Sequence, residues 1–229
     1  MKKLLSGMFA ISLIIACNNT TKKAEEPARE STKEPETSTP DLTAYGIEQG
    51  GNPLGLPVNS IAPDVTLTFQ DGNTKSLSEL YKEQPLVVFF YRGYWCPYCS
   101  KYLSEMATEA QDLEMLGAKL IAVTPETYGN VNKTKLNSQA TFDIVSDTSG
   151  DIMNAFKVNF DVTNDYQEKL KNGASLDLRD VNSSKEAILP IPATYVINQE
   201  GKIVYSFTNP DYKQRAPISE ISKHIPPKM

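Results

Sequence analysis

Apolar positions along this chain fall into two kinds of run. Compact apolar stretches at Leu86–Tyr91 and Lys119–Thr124 have the length and β-branched or aromatic content of buried strands. Between them Leu103, Met106, Ala107, Ala110, Leu113 and Leu116 recur every three or four residues, the period of an amphipathic helix, and Gly117 offers a left-handed stop. A strand–helix–strand unit with so short a crossover makes the two strands parallel neighbours. Upstream, Val65–Phe69 alternates apolar and polar residues and ends at the turn pair Asp71-Gly72, with a short helical turn expected over Leu77–Tyr81. Downstream, a weakly helical stretch from Tyr128 to Gln139 leads to a third parallel strand at Phe142–Val145 and a short helix at Ile152–Phe156. Phe160–Ile188 is polar without clear periodicity and reads as an insertion near the site. Thr194–Asn198 and Lys202–Phe207 form a hairpin around Gln199-Glu200-Gly201, and a last helix is expected over Pro217–Ile225. This order predicts an α/β fold, a central mixed sheet with helices on both faces.

The N-terminal segment has a different pattern. Lys2 and Lys3 precede an apolar core from Leu4 to Ile15, too short to span a bilayer and suited to an export signal. It ends in Ile14-Ile15-Ala16-Cys17, which resembles the lipobox of bacterial lipoproteins. The resemblance implies a signal peptide over 1–16, cleavage before Cys17 and lipid on its sulfur. That would hold the protein on a membrane of the bacterial cell envelope, outside the cytoplasm. The alternative is an ordinary secretory signal with a free Cys17. From Asn18 to about Gly51 Thr, Ser, Lys, Glu and Pro dominate, so residues 17–55 are read as a flexible linker and 56–229 as one domain without internal repeats. The formal net charge is −5 and no basic stripe is present, which argues against a nucleic-acid partner.

The candidate chemistry lies at Trp95-Cys96-Pro97-Tyr98-Cys99, directly behind the first apolar run and ahead of the amphipathic helix. The first sulfur of such a turn meets the open N–H groups at the helix start, which favour a thiolate. Pro97 suits the first helical position, where its missing N–H has no partner to lose. Three other readings compete with a redox pair. A structural disulfide across so small a loop would contribute only roughly 2 kcal/mol. Half of a structural zinc site would need two further Cys or His ligands, and only Cys17 and His224 remain. Buried inert thiols are the third reading, permitted by the apolar Trp95 and Tyr98. The chain has three cysteines in all, so a lipid on Cys17 would leave Cys96 and Cys99 to react with each other.

The order of strand, W-C-x-x-C, helix and Ile191-Pro192-Ala193-Thr194 resembles the thioredoxin-like fold. That resemblance implies a cis-proline at Pro192 facing the cysteines; the plain alternative is a strand-entry proline. Ala62-Pro63-Asp64, Asp71-Gly72, Leu77-Ser78-Glu79-Leu80, Phe90-Tyr91-Arg92-Gly93 and Tyr195-Val196-Ile197-Asn198-Gln199-Glu200-Gly201-Lys202-Ile203 resemble the peroxiredoxin-like branch, the alkyl hydroperoxide reductase and thiol-specific antioxidant (AhpC/TSA) group. Asp211-Tyr212-Lys213-Gln214-Arg215 followed by Pro217 resembles its closing motif, and the likeness covers nearly everything after Leu56.

The departures bear on mechanism. Peroxiredoxins carry Pro-x-x-x-Thr-x-x-Cys with a distant arginine. In that register Arg92 takes the proline position, Cys96 the threonine and Cys99 the attacking cysteine, while Pro192 stands where many members place the arginine. Arg92 or Arg215 would then supply the cation, or either is a solvated surface charge. Trp95 and Tyr98 would wall the site, or pack as core and surface.

The resemblance implies thiol-dependent reduction of hydrogen peroxide or organic hydroperoxides, with Cys99 attacking first and a thioredoxin-type protein as electron donor. A thiol-disulfide reductase acting on protein disulfides is the second expectation, with Cys96 attacking first. A non-catalytic binding module is the third. None of these calls for a cofactor or a metal, and oligomeric state is left open.

Overall fold

The computed structural model describes residues 41–48, 51 and 53–227. The signal sequence and Cys17 lie outside the described residues. In chain order the strands are β1 (Thr66–Thr68), β2 (Thr74–Ser76), β3 (Leu86–Phe90), β4 (Lys119–Thr124), β5 (Asp143–Ser146), β6 (Asn159–Asp161), β7 (Ile188–Pro190), β8 (Ala193–Ile197) and β9 (Ile203–Thr208). The α-helices are α1 (Leu77–Glu83), α2 (Pro97–Met115), α3 (Tyr128–Ser138), α4 (Asp151–Ala155), α5 (Asn164–Ala174), α6 (Leu178–Val181) and α7 (Ile218–Lys223).

A five-stranded mixed sheet in the order β5-β4-β3-β8-β9 forms the centre. β4 lies parallel to β3 and β5 parallel to β4, as the short crossovers require. β8 runs antiparallel on the other flank of β3, and β9 returns beside it as the expected hairpin. Every residue of β3 is buried, because helices cover both faces of the sheet. Its side chains alternate between two cores. Val87 and Phe89 pack with Leu103, Met106 and Leu113 of α2, while Val88 and Phe90 pack with Leu77 and Leu80 of α1 and Ile152 of α4.

Short polar elements escaped the periodicity. β2 has no apolar residue; it pairs with β1 across a turn in which Gly72 adopts φ 83° and Asp71 accepts the N–H of Asn73 at 2.9 Å. Ser76 then opens α1 with a reciprocal cap, accepting from Glu79 N–H at 3.1 Å while the Glu79 carboxylate accepts from Ser76 N–H at 2.6 Å. The polar stretch 160–188 is folded: β6 pairs with β7, and Phe160, Tyr166, Leu178 and Ile188 enter the core. Each of its elements contributes only a few apolar residues, too few to show a period.

Two sequence expectations are corrected. The linker read to residue 55 ends earlier: Asp41 caps a 3-10 turn at Leu42–Tyr45, and Ile47 is fully buried and bridges Val162. One large apolar side chain in a polar stretch carries no periodic signal, yet its burial is enough to dock the segment. The bond before Pro192 is also trans, since no described peptide bond is cis. Ile191 N–H donates to Val158 carbonyl at 2.8 Å, so the chain reaches Pro192 already extended and passes from β7 straight into β8.

Candidate active site

The site forms where the carboxyl end of β3 turns into α2. Tyr91 N–H still donates to Val123 carbonyl at 3.1 Å, and the turn begins beyond it. A Cβ on Gly93 would lie 2.6 Å from Glu126 Oε1 and press on Trp95 Nε1, so only glycine fits there. Tyr94 N–H donates to both carboxylate oxygens of Glu126 at 3.0 Å, which pins the loop to the end of β4. Cys96 caps α2: its sulfur accepts from Cys99 N–H at 3.3 Å, and Pro97 takes the first helical position.

Each sulfur has its own arginine. Arg92 Nη2 donates to Cys96 Sγ at 3.3 Å and its Nη1 to Tyr166 Oη at 2.9 Å, with the guanidinium 3.7 Å from the Tyr212 ring centre and 5.1 Å from Trp95. Arg215 Nη2 donates to Cys99 Sγ at 3.1 Å, and its Nη1 to Phe90 carbonyl at 3.5 Å. Arg92 is buried and Arg215 half-buried, so neither is a solvated surface charge.

Cys96 and Cys99 are free thiols with no exposed surface. Burial opposes ionisation of Cys99, but the hydrogen bond from the Cys96 thiol and the charges of Arg215 and Arg92 outweigh it and hold Cys99 well below the usual thiol range. Cys96 moves the other way. The proton it shares with Cys99, burial and the neighbouring negative sulfur push it up, against Arg92. The pair therefore carries one negative charge, centred on Cys99. The helix start alone would place it on Cys96; the hydrogen bond from the Cys96 thiol, and after it the charges of Arg215 and Arg92, favour Cys99 instead.

Trp95 joins the cluster half-buried, and Tyr98 is exposed at the first turn of α2, its ring 5.7 Å from Tyr212. Pro192 borders the same end of the sheet, because β8 pairs Ala193 with Phe90; its carbonyl accepts from Asn209 N–H at 3.1 Å. Arg92 Nε, Arg215 Nε and Trp95 Nε1 are buried donors without a protein partner, three unmatched N–H groups around two sulfurs. Among the described residues no group of three His, Cys, Asp or Glu converges as a metal would need.

Sequence reasoning missed Tyr166, Tyr212 and Glu126. Tyr166 comes from the polar insertion and gave no signal. Glu126 had one: it follows the carboxyl end of a parallel strand, where the sites of such sheets gather.

The AhpC/TSA family model matches residues 58–206. Chloroplastic peroxiredoxin Q of Oryza sativa subsp. japonica is 24% identical over 176 residues, 76% of this chain and 70% of that protein. The thiol-disulfide oxidoreductase ResA of Bacillus subtilis is 28% identical over 145 residues, 63% of this chain and 64% of that protein. Among solved structures, PrxQ of Xylella fastidiosa superimposes with a TM-score of 0.54 at 20% identity, covering 74% of this chain and 96% of that one. Peroxidoxin BcpB of Mycobacterium tuberculosis gives 0.53 at 18% identity, covering 67% and 86%. These structural likenesses establish the thioredoxin-like fold.

Proposed function

The chain belongs to the AhpC/TSA family, and from that membership we propose that it is a thiol peroxidase in which Cys99 attacks the peroxide and Cys96 resolves the product. The observation that carries this reading is the Arg215 guanidinium on the Cys99 sulfur at 3.1 Å. A thiolate is the nucleophile in peroxide reduction, and a cation beside it both favours the thiolate and offers donors to the peroxide oxygens. Arg215 comes from beyond β9 and fills the role that the sequence register leaves vacant at Pro192. Cys99 sulfur takes one oxygen of the peroxide as the O–O bond breaks, becoming a sulfenic acid. The Cys96 thiol, one helical turn away, then forms the disulfide and releases water. Trp95 and Arg92 line the approach, and a thioredoxin-type dithiol returns the electrons.

Disulfide reduction is the second reading, supported by Cys96 at the start of α2 and by the likeness to ResA. One experiment separates them. Exposed to hydrogen peroxide, Cys96→Ser should accumulate a sulfenic acid that a dimedone probe traps on Cys99, and Cys99→Ser should not. If instead only Cys99→Ser traps a species, as a mixed disulfide with a dithiol protein, the reductase reading replaces the peroxidase one.

For residues 1–17 we propose a lipoprotein signal with lipid on Cys17, supported by the sequence pattern alone. Replacing Cys17 by Ser should move the protein from the membrane to the soluble fraction, and a wild type found wholly soluble would overturn the anchor.

A further inference from the structure

The segment ahead of the first strand ends against the residues that hold Arg92. Leu42–Tyr45 form the 3-10 turn that Asp41 caps, and Gly46 closes it with φ 84°, its N–H donating to Thr43 carbonyl at 3.0 Å. A Cβ on Gly46 would lie 2.7 Å from Tyr166 Cγ and 3.1 Å from Tyr166 Cβ, atoms that turning the ring cannot move aside. Only glycine lets this backbone lie on the Tyr166 side chain. Gly46 carbonyl accepts from Thr163 N–H at 2.9 Å, and the fully buried Ile47 bridges Val162. Tyr45 meets the Tyr212 ring edge-on, with 6.2 Å between centres. Tyr166 and Tyr212 in turn hold Arg92, whose Nη1 donates to Tyr166 Oη at 2.9 Å while the guanidinium lies 3.7 Å from the Tyr212 ring centre and Nη2 donates to Cys96 Sγ at 3.3 Å. Each route from this segment to the sulfur is one tyrosine and one arginine long.

We propose that residues 42–47 are a strap that positions Arg92 on Cys96, through Tyr45 on Tyr212 and through Gly46 on Tyr166. An arginine side chain has many rotamers, and one must be selected for its head to reach the sulfur. Arg92 Nε has no hydrogen-bond partner, so the contacts at the head of the side chain make that selection. The strap lies ahead of residue 58, where the match to the family begins.

The inference rests on the peroxidase reading only for the step that Arg92 serves, the second one. There the Cys96 sulfur attacks the sulfenic sulfur of Cys99; the S–S bond forms, the S–O bond breaks, and the hydroxyl leaves as water with the Cys96 proton. A cation held at the Cys96 sulfur favours the form that has lost that proton. Of the titratable and charged groups, Cys96 faces Cys99 on its own helix and Arg92 from the loop after β3. Arg92 faces the two sulfurs, Tyr166 of α5 and Tyr212 beyond β9. Tyr45 and Gly46 bring no charge of their own, so their effect on Cys96 passes through Arg92.

Alkylation of Cys96 by iodoacetamide against pH, in a Cys99→Ser background, tests this without any peroxide. The midpoint of the profile reports the charge at the sulfur, and the plateau reports access to it. Tyr45→Ala and Gly46→Ala should each raise the midpoint by about one pH unit and Arg92→Ala by more, within the roughly 1–3 units that a neighbouring opposite charge supplies. Tyr45→Phe keeps the ring and should keep the parent midpoint. Gly72→Ala, which strains the β1–β2 turn instead, should lose stability without a shift, so general loosening does not mimic the result. An unshifted midpoint in any folded member of the first three variants would overturn the strap. Should Gly46→Ala not fold, Tyr45→Ala decides alone, because Tyr45 is half-buried and Ile47 still docks the segment. The expected midpoints in a protein that gives no dimedone adduct on Cys99 would sink the peroxidase reading and leave the positioning of Arg92 standing.

Discussion

Arg215 donates to the Cys99 sulfur at 3.1 Å from a position 116 residues further along the chain. The contact joins the segment after β9 to the first turn of α2 and, after the hydrogen bond from the Cys96 thiol, does most to hold Cys99 below the usual thiol range. A hydrogen bond to a charged group contributes about 1.5–3 kcal/mol, so Arg215→Ala should slow alkylation of Cys99 at neutral pH by roughly 10- to 100-fold and shift its pH profile upward. Arg215→Lys should recover part of the rate, because it keeps the charge without the planar fork. Rates of iodoacetamide labelling in a Cys96→Ser background measure both.

Arg92 depends on the insertion. Tyr166→Phe removes the hydroxyl that accepts from Arg92 and should cost about 1 kcal/mol in urea unfolding. Arg92→Ala should cost more, since it also strips a buried guanidinium from the Tyr212 and Trp95 rings.

Two glycines separate steric from conformational cost. A Cβ on Gly72 would meet nothing within 4 Å, so Gly72→Ala should lose only the left-handed backbone term, about 1 kcal/mol. Gly93→Ala meets Glu126 and Trp95 and should lose more, roughly 1–3 kcal/mol for overpacking alone, with displacement of the Tyr94 loop. Denaturant midpoints of the two variants give the comparison.

Stability should respond to pH through two opposed groups. Glu126 titrates near 4.5 unfolded and about 8 folded, so the folded state holds the extra proton and stability falls as pH rises between those values, at about 1.4 kcal/mol per unit. Cys99 is depressed from 9.0, so its contribution is full above that value and is lost as pH falls toward its folded titration. The slopes oppose each other around neutrality. Cys99→Ser should therefore be less stable at pH ~7.5 than at pH ~5.5, and Glu126→Gln should show the reverse trend. Equal pH dependence in both variants and wild type would contradict the assignment.

Features that depend on near neighbours in the chain were legible in the sequence. The buried strands β3 and β4, the helix between them and the start of that helix at Cys96-Pro97 follow from hydrophobic period, capping and the fixed φ of proline, all set within a few residues. The parallel pairing of β3, β4 and β5 was legible too, because short crossovers leave one handedness. The C-x-x-C spacing singled out Cys96 and Cys99 as the candidate pair, with Trp95 beside them. It took the folded chain to fix which cation meets which sulfur, that the bond before Pro192 is trans, and that Ile47 and the 160–188 segment belong to the core. The pairs Tyr94–Glu126, Arg92–Tyr166 and Arg215–Cys99 are 32, 74 and 116 residues apart in the chain. Their energies come from charge and burial at close range in space, and no local period or propensity encodes them.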